Sequence, residues 1–135
     1  MGDPRVLTVA AAAVVRDGRL LVVSKQAAPS IFNLPGGKPE PGESLLGALR
    51  RELQEELSVG PSDVTPFTVV EALAAIEAVP MRMTVYLAEL DGVASPGAEL
   101  AAMGWTSGRN DGIQLAPAVR DHVIPALVDA GLLVH

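Results

Sequence analysis

No cysteine occurs in the 135 residues, so disulfides, thiolate zinc sites and cysteine nucleophiles are excluded together. Long apolar runs are missing too. The longest, Val6 to Val15, breaks at Arg16-Asp17, short of the roughly 20 residues that a membrane-spanning helix needs. The start, Met1-Gly2-Asp3-Pro4-Arg5, supplies no basic region running into an apolar stretch with a small-residue cleavage site. A secretory leader is therefore not expected, and the cytoplasm is the expected location. Basic charge is scarce, with 10 Lys+Arg against 16 Asp+Glu for a net charge of −6. A nucleic-acid backbone calls for a broad basic surface, so neither DNA nor RNA is expected as a partner, and no membrane either. No repeat, low-complexity tract or linker interrupts the chain. What is present, 49% hydrophobic and 19% charged residues, can bury a core, and the length predicts one domain over residues 1–135.

Thr8 to Val15 and Leu20 to Lys25 are aliphatic, β-branched runs joined through Asp17-Gly18, which predicts an antiparallel hairpin. Gln26 to Glu43 carries Pro29, Pro35, Gly36, Gly37, Pro39, Pro41 and Gly42 and reads as one long loop. Loops of that length in a small domain are usually functional or disordered. Ser44 to Leu57 is free of proline and predicts a helix, with Ser44 as N-cap and Gly60 as its stop. Pro66 to Ala78 and Met81 to Leu90 read as strands. The second places Met81, Met83, Val85 and Leu87 on one side. Asp91 to Pro96 predicts a turn, Glu99 to Trp105 a short strand, Thr106 to Gly112 a polar loop and Pro117 to Leu133 an amphipathic helix, whose apolar side is Val119, Val123, Ala126 and Leu127. The order predicts an α/β domain.

The helix after the glycine-rich loop has an unusual wheel. With Leu45 at zero and about 100° per residue, Leu49, Leu53, Leu46, Leu57 and Ala48 define one apolar arc. Glu52 at about −20° and Glu56 at about 20° fall inside it, and Glu55 sits at its edge near −80°. A carboxylate removed from water needs a compensating cation or takes up a proton. Either the helix turns this edge to solvent, or something positive sits there. Gly36-Gly37 just upstream lets the backbone approach closely and aim a carbonyl at whatever the carboxylates hold. Three glutamates and a carbonyl make an all-oxygen set suited to Mg²⁺ or Mn²⁺ rather than zinc or copper. Such ions bridge carboxylate to phosphate and reverse the local sign of an acidic surface.

The stretch from Gly37 to Val59 resembles the Nudix box, GX5EX7REUXEEXGU with U aliphatic. Gly37, Glu43, Arg51, Glu52, Leu53, Glu55, Glu56 and Val59 are in register. Ser58 stands where the family has glycine, which bears on the helix end and leaves Gly60 as the expected stop. The preceding Leu34-Pro35-Gly36-Gly37-Lys38 also looks like the family's lead-in. The resemblance implies a Nudix-type α/β/α sandwich, with a mixed β-sheet, the box helix on one side and a C-terminal helix on the other.

It also implies roles. Glu52 and Glu56 would be direct Mg²⁺ ligands, Glu55 a ligand directly or through water, and the Gly37 carbonyl would complete the protein's share. Glu52 is further implied as a candidate general base. Glu43 and Arg51 match the family's buried ion pair that braces loop against helix, the competing reading being a surface pair between Arg51 and Glu55. Lys25 and Lys38 are candidates for substrate, Phe32 for base stacking or core, and Glu99 for an additional ligand or base. Trp105 is expected to pack, His122 and His135 receive no role, and Ser44 caps the helix rather than acting as a nucleophile. The implied activity is Mg²⁺-dependent hydrolysis of a nucleoside diphosphate linked to another group. The short chain favours a small nucleotide, such as an unmodified or oxidised nucleoside triphosphate. A ligand-sensing Nudix domain without catalysis is the alternative, and by analogy the protein is a monomer or a homodimer.

Overall fold

Asp17 and Gly18 both adopt positive φ, 51° and 72°, the backbone of a tight two-residue hairpin whose twist suits the flanking strands. The computed structural model describes residues 5–109 and 111–134; Met1 to Pro4, on which the leader reading rests, and His135 lie outside the described residues. The hairpin is shorter than the sequence predicts. β1 (Leu7–Ala13) gives way to β2 (Val15–Arg16), and only Val15 and Arg16 pair with Leu20 and Arg19 of β3 (Arg19–Lys25). The chain changes sheets at the buried Val14, so β1 is free to pair elsewhere. It runs parallel to β7 (Pro80–Leu90), from Leu7↔Met81 to Ala13↔Leu87.

Among the described residues the strands form two four-stranded sheets. The first has the order β5-β1-β7-β6, with β5 at Gly36–Gly37 and β6 at Pro61–Leu73. The second joins β2, β3 and β4 (Ala28–Asn33), with β8 (Leu100–Thr106) on the other side of β3. The predicted loop from Gln26 to Glu43 therefore contains two strands, because neighbouring strands supply ladder partners that local composition does not reveal. β6 likewise starts at Pro61 rather than Pro66 and ends at Leu73 rather than Ala78. It lies at the sheet edge, where prolines are tolerated.

Helix α1 (Leu45–Leu57) starts where expected, with the Ser44 hydroxyl accepting from the Gly47 N–H at 3.0 Å. It ends earlier than the Gly60 stop. Ser58 itself takes the left-handed conformation, φ 58°, and its N–H donates to the Gln54 carbonyl. Ala48, Leu49, Leu53 and Leu57 pack under the sheet with Ala10, Ala12 and Leu21, while Leu46, placed on that arc from the wheel, is 37% exposed at its rim.

A second core lies on the opposite side, where Val119, Val123, Ile124 and Leu127 meet Leu20, Val22, Met83 and Val85. The predicted C-terminal helix divides here. Val119–Val123 is a π turn, with the Ile124 N–H donating to the Val119 carbonyl, followed by α2 (Ile124–Asp129). Pro125 explains the wide turn: it has no N–H and its ring crowds the carbonyl four residues back. Gly131, φ 76°, closes the helix short of Leu133. The layers are helix, sheets, helix. Among the described residues no helix is long and apolar enough to cross a membrane.

Candidate active site

Gly36 and Gly37 form β5 against Ala11 and Ala10 of β1. Gly36 has φ 146°, and a Cβ there would run into the Ala10 carbonyl. A Cβ on Gly37 would run into the Glu52 carboxyl. Two glycines thus let one strand lie simultaneously against β1 and against α1.

The helix presents its three glutamates at graded depth. The Glu56 side chain is 2% exposed, Glu52 is 15% and Glu55 is 55%. Glu56 accepts from the Gly36 N–H at 2.9 Å and faces the Lys25 ammonium at 3.8 Å. Burial lifts its carboxyl to about 7, further than the Gly36 hydrogen bond and Lys25 can lower it, and the nearby charges of Glu52 and Glu99 add to the rise. An anion held this far from water is a place for a cation.

Arg51 organises the other side. Its Nη2 and Nε donate to the two oxygens of Glu43 at 2.8 and 2.9 Å, a bidentate pair. Nη2 also reaches the Lys38 carbonyl at 3.0 Å, tying the loop to the helix. Nη1 donates to Glu52 at 3.0 Å and to Glu55 at 3.4 Å. The Glu55 pair therefore exists beside the Glu43 pair and is the longer contact. The Arg51 hydrogen bond, joined by the Glu40 N–H, holds the Glu43 carboxyl down to about 2, and Glu43 raises Arg51 in return. Among the described residues no three His, Cys, Asp or Glu side chains are gathered at metal-ligand spacing; Glu52 and Glu55 both accept from Arg51. The donor set still fits a hard divalent ion. Its oxygens are carboxylate and carbonyl, and Gly37 lies against Glu52 with no side chain between them.

A cleft of about 470 Å³ opens beside these groups, with Lys25, Lys38, Gly37, Arg51 and Glu52 on its wall at one end. Aliphatic residues of β1, β4, β7 and the β6–β7 turn, among them Leu7, Val9, Ile31, Met81 and Ile76, line the rest. Phe32 does not. Strand alternation sends Ile31 and Asn33 to the cleft, while Phe32 packs into the core beneath α2 and its backbone pairs with Gln114 and Ala116. Of the two readings of Phe32, this packing agrees with core.

Glu99 sits beyond a turn that caps α1, in which Gly97 and Ser95 donate to the carbonyls of Glu56 and Leu57 at 2.7 and 2.8 Å. The Glu99 carbonyl accepts from the Gln26 N–H at 2.9 Å, next to Lys25. Trp105 packs with the α1 core and carries the Arg16 guanidinium 6.0 Å from its ring centre. Asn33 lies in a stretch whose composition predicts loop, so no local signal marks it as a cleft residue. Its Oδ1 accepts from the Leu34 N–H at 3.0 Å, which leaves the amide NH₂ as donor.

Residues 6–108 match the family model described as the NUDIX domain. The CTP pyrophosphohydrolase of Escherichia coli (strain K12) is 40% identical over 58 residues, 41% of this chain and 43% of that protein, so the match spans less than half of that relative. The solution structure of the E. coli ORF135 protein superposes with a TM-score of 0.75 at 25% identity, covering 94% of this chain and 91% of that one. A MutT NUDIX hydrolase from Burkholderia pseudomallei gives a TM-score of 0.65 at 33% identity, over 73% and 81% of the two chains. The MutT protein from Methanosarcina mazei Go1, at 17% identity, shares the fold with a TM-score of 0.77 over 96% and 99%. With the family model matched over residues 6–108, the chain belongs to the Nudix hydrolase family.

Proposed function

We propose that the protein is a Mg²⁺-dependent pyrophosphohydrolase that cleaves the diphosphate linkage of a nucleoside triphosphate, unmodified or oxidised, in the cytoplasm, as a monomer or homodimer. The observation that carries this reading is Glu56. Its carboxylate is almost wholly buried behind Lys25 and Gly36, two residues on the wall of a cleft that is charged at one end and otherwise largely aliphatic. The relative named CTP pyrophosphohydrolase supports the choice of a triphosphate.

Glu52, Glu55, Glu56 and the Gly37 carbonyl would hold Mg²⁺, with Mn²⁺ an acceptable substitute. When bound, the ion lowers the pKa of a coordinated water and neutralises charge on the diphosphate. The chain's own groups do the rest. Lys25, on the cleft wall and 3.8 Å from Glu56, meets a phosphate oxygen, as does Lys38 across the loop. Glu52, at the polar end of the cleft wall, accepts the proton of the attacking water, with Glu99 as the second candidate. Glu43 and Arg51 fix the loop so that Gly37 keeps its distance from Glu52. The aliphatic walls hold the base and exclude solvent around it.

One observation favours a second reading, a ligand-sensing domain without turnover: Arg51 occupies Glu52 and Glu55. A screen of pyrophosphate and phosphate release over nucleoside triphosphates, nucleotide sugars, ADP-ribose and dinucleoside polyphosphates, with Mg²⁺ and with EDTA, separates the two. Release from triphosphates that stops in EDTA is expected. Binding of nucleotides with no release from any substrate would replace this reading by the second.

A further inference from the structure

The charged side chains on the cleft wall are unevenly placed. Lys25, Lys38, Glu40, Arg51 and Glu52 cluster at the α1 end, and among the described residues the one other charged wall residue is Glu77. It belongs to the turn between β6 and β7, beyond Met81. From Ala10, which faces Gly37, to Leu7, which faces Met81, is three residues of β1, about 10 Å at roughly 3.3 Å per residue. The two ends of the cleft along β1 are thus about a nucleoside's length apart, and Glu77 lies in the turn past the Met81 end.

The turn is held in shape. The Ala74 N–H donates to the Val79 carbonyl and the Ala78 N–H to the Ala74 carbonyl, both at 2.9 Å. Ala74 is buried at 5% exposure, and Ala78 is kept at φ 56°, a conformation alanine rarely adopts. Strain that the surroundings maintain is a reason to ask what the segment positions. It positions Ile76 and Glu77. Ile76 stays 53% exposed although it lines the cleft, so its aliphatic side chain is available to cover a flat ring.

Glu77 brings two chemical consequences. Its charge repels phosphate, so a nucleotide enters with its phosphates toward Lys25 and its base toward the turn. An ionised carboxylate also accepts hydrogen bonds and cannot donate them. It pairs with the exocyclic amine of cytosine or adenine and opposes the keto oxygen at the same ring position of uracil or hypoxanthine. Resting on the proposed triphosphate hydrolysis, we propose that the β6–β7 turn reads the nucleobase: Ile76 covers the ring face and Glu77 accepts a hydrogen bond from an exocyclic amine, so that amine-bearing bases are selected over keto counterparts.

The test is the kcat/KM ratio for CTP over UTP and for ATP over ITP in the wild type, Glu77→Gln and Glu77→Ala, together with the Kd of CMP and UMP by calorimetry. Glu77 lies on an exposed turn, so both variants keep the fold. The wild type is expected to favour the amine-bearing member about tenfold, mainly through KM, as one charge-assisted hydrogen bond at an open site allows. Both variants should bring the ratio near one. A wild type without this preference, or variants that retain it, would overturn the proposal while leaving the hydrolase reading intact. If no triphosphate is turned over, the hydrolase reading fails and the calorimetry decides alone. A preference for CMP that vanishes in Glu77→Gln sustains base reading, and equal binding in all three proteins ends it.

Discussion

Replacing Glu56 by glutamine is expected to make the metal-free protein more stable and the enzyme inactive. In the folded chain the carboxyl keeps its proton up to about 7, whereas the unfolded chain releases it near 4.5. Between those values the folded state binds more protons, so this group's contribution to stability falls as pH rises and levels off above 7. At about 1.4 kcal/mol per pH unit, the full loss is about 3 kcal/mol. Glutamine is neutral at every pH and can still accept from the Gly36 N–H, though it forgoes the attraction of Lys25. A gain of about 2 kcal/mol at pH 8.5 is therefore expected, shrinking to under about 1 kcal/mol at pH 5. Urea unfolding in EDTA, followed by circular dichroism at the two pH values, measures both. In Mg²⁺ the ordering should reverse. The wild type gains stability with ion concentration and the variant does not, while turnover of the variant falls by orders of magnitude. A variant no more stable than the wild type at pH 8.5, or a gap that does not narrow at pH 5, would refute the picture of Glu56 as a buried anion awaiting a cation.

Ser58→Gly should raise stability by about 0.5–1 kcal/mol, seen as a higher Tm with unchanged activity, because glycine relieves the left-handed backbone at φ 58°. No gain would mean that Ser58 is not strained. The two glycines of β5 should separate in their effects. Gly36→Ala collides with the β1 backbone and is expected to lose about 2 kcal/mol or more in chemical unfolding. Gly37→Ala has its nearest neighbours in the movable Glu52 side chain, so it should leave unfolding nearly unchanged and abolish most turnover; full activity would remove Glu52 from the site. Arg51→Lys cannot grip Glu43 with two parallel hydrogen bonds. Hydrogen exchange at the Glu40 N–H, which donates to Glu43 at 2.9 Å, should speed up, and unchanged protection would show that Arg51 does not brace the loop.

The box helix was the most readable part of the chain. Its N-cap, its apolar arc and the graded burial of Glu56, Glu52 and Glu55 follow from spacing alone, because a helix sets side-chain direction locally. Strands that depend on distant partners were harder. Nothing near Ala28 to Asn33 announces β4, and its pairing with Val23 and Lys25 decides that Asn33 enters the cleft and Phe32 does not. The same holds for β1, whose alternation suits a hairpin as well as a parallel ladder until Met81 to Leu87 is brought alongside. Ser58 shows the opposite case. Composition predicts Gly60 as the stop, but the helix takes its left-handed turn at position 58 itself, and serine accepts it.

The parallel register of β1 against β7 joins Leu7 to Met81, 74 residues further along the chain. Closing so large a loop costs entropy before any contact offsets it, so this ladder forms slowly and late. The β6–β7 hairpin and α1 can assemble from local contacts, but β5 rests on β1, and Gly37 meets Glu52 where β5 crosses the box helix. During synthesis β1 gains its second neighbour, β7, only once the chain has been made past Leu90, so the sheet that carries β5 stays open along that edge until then. A nascent chain therefore carries Gly37, the neighbour of Glu52, on an unfinished sheet, and their spacing is fixed only when the last ladder closes.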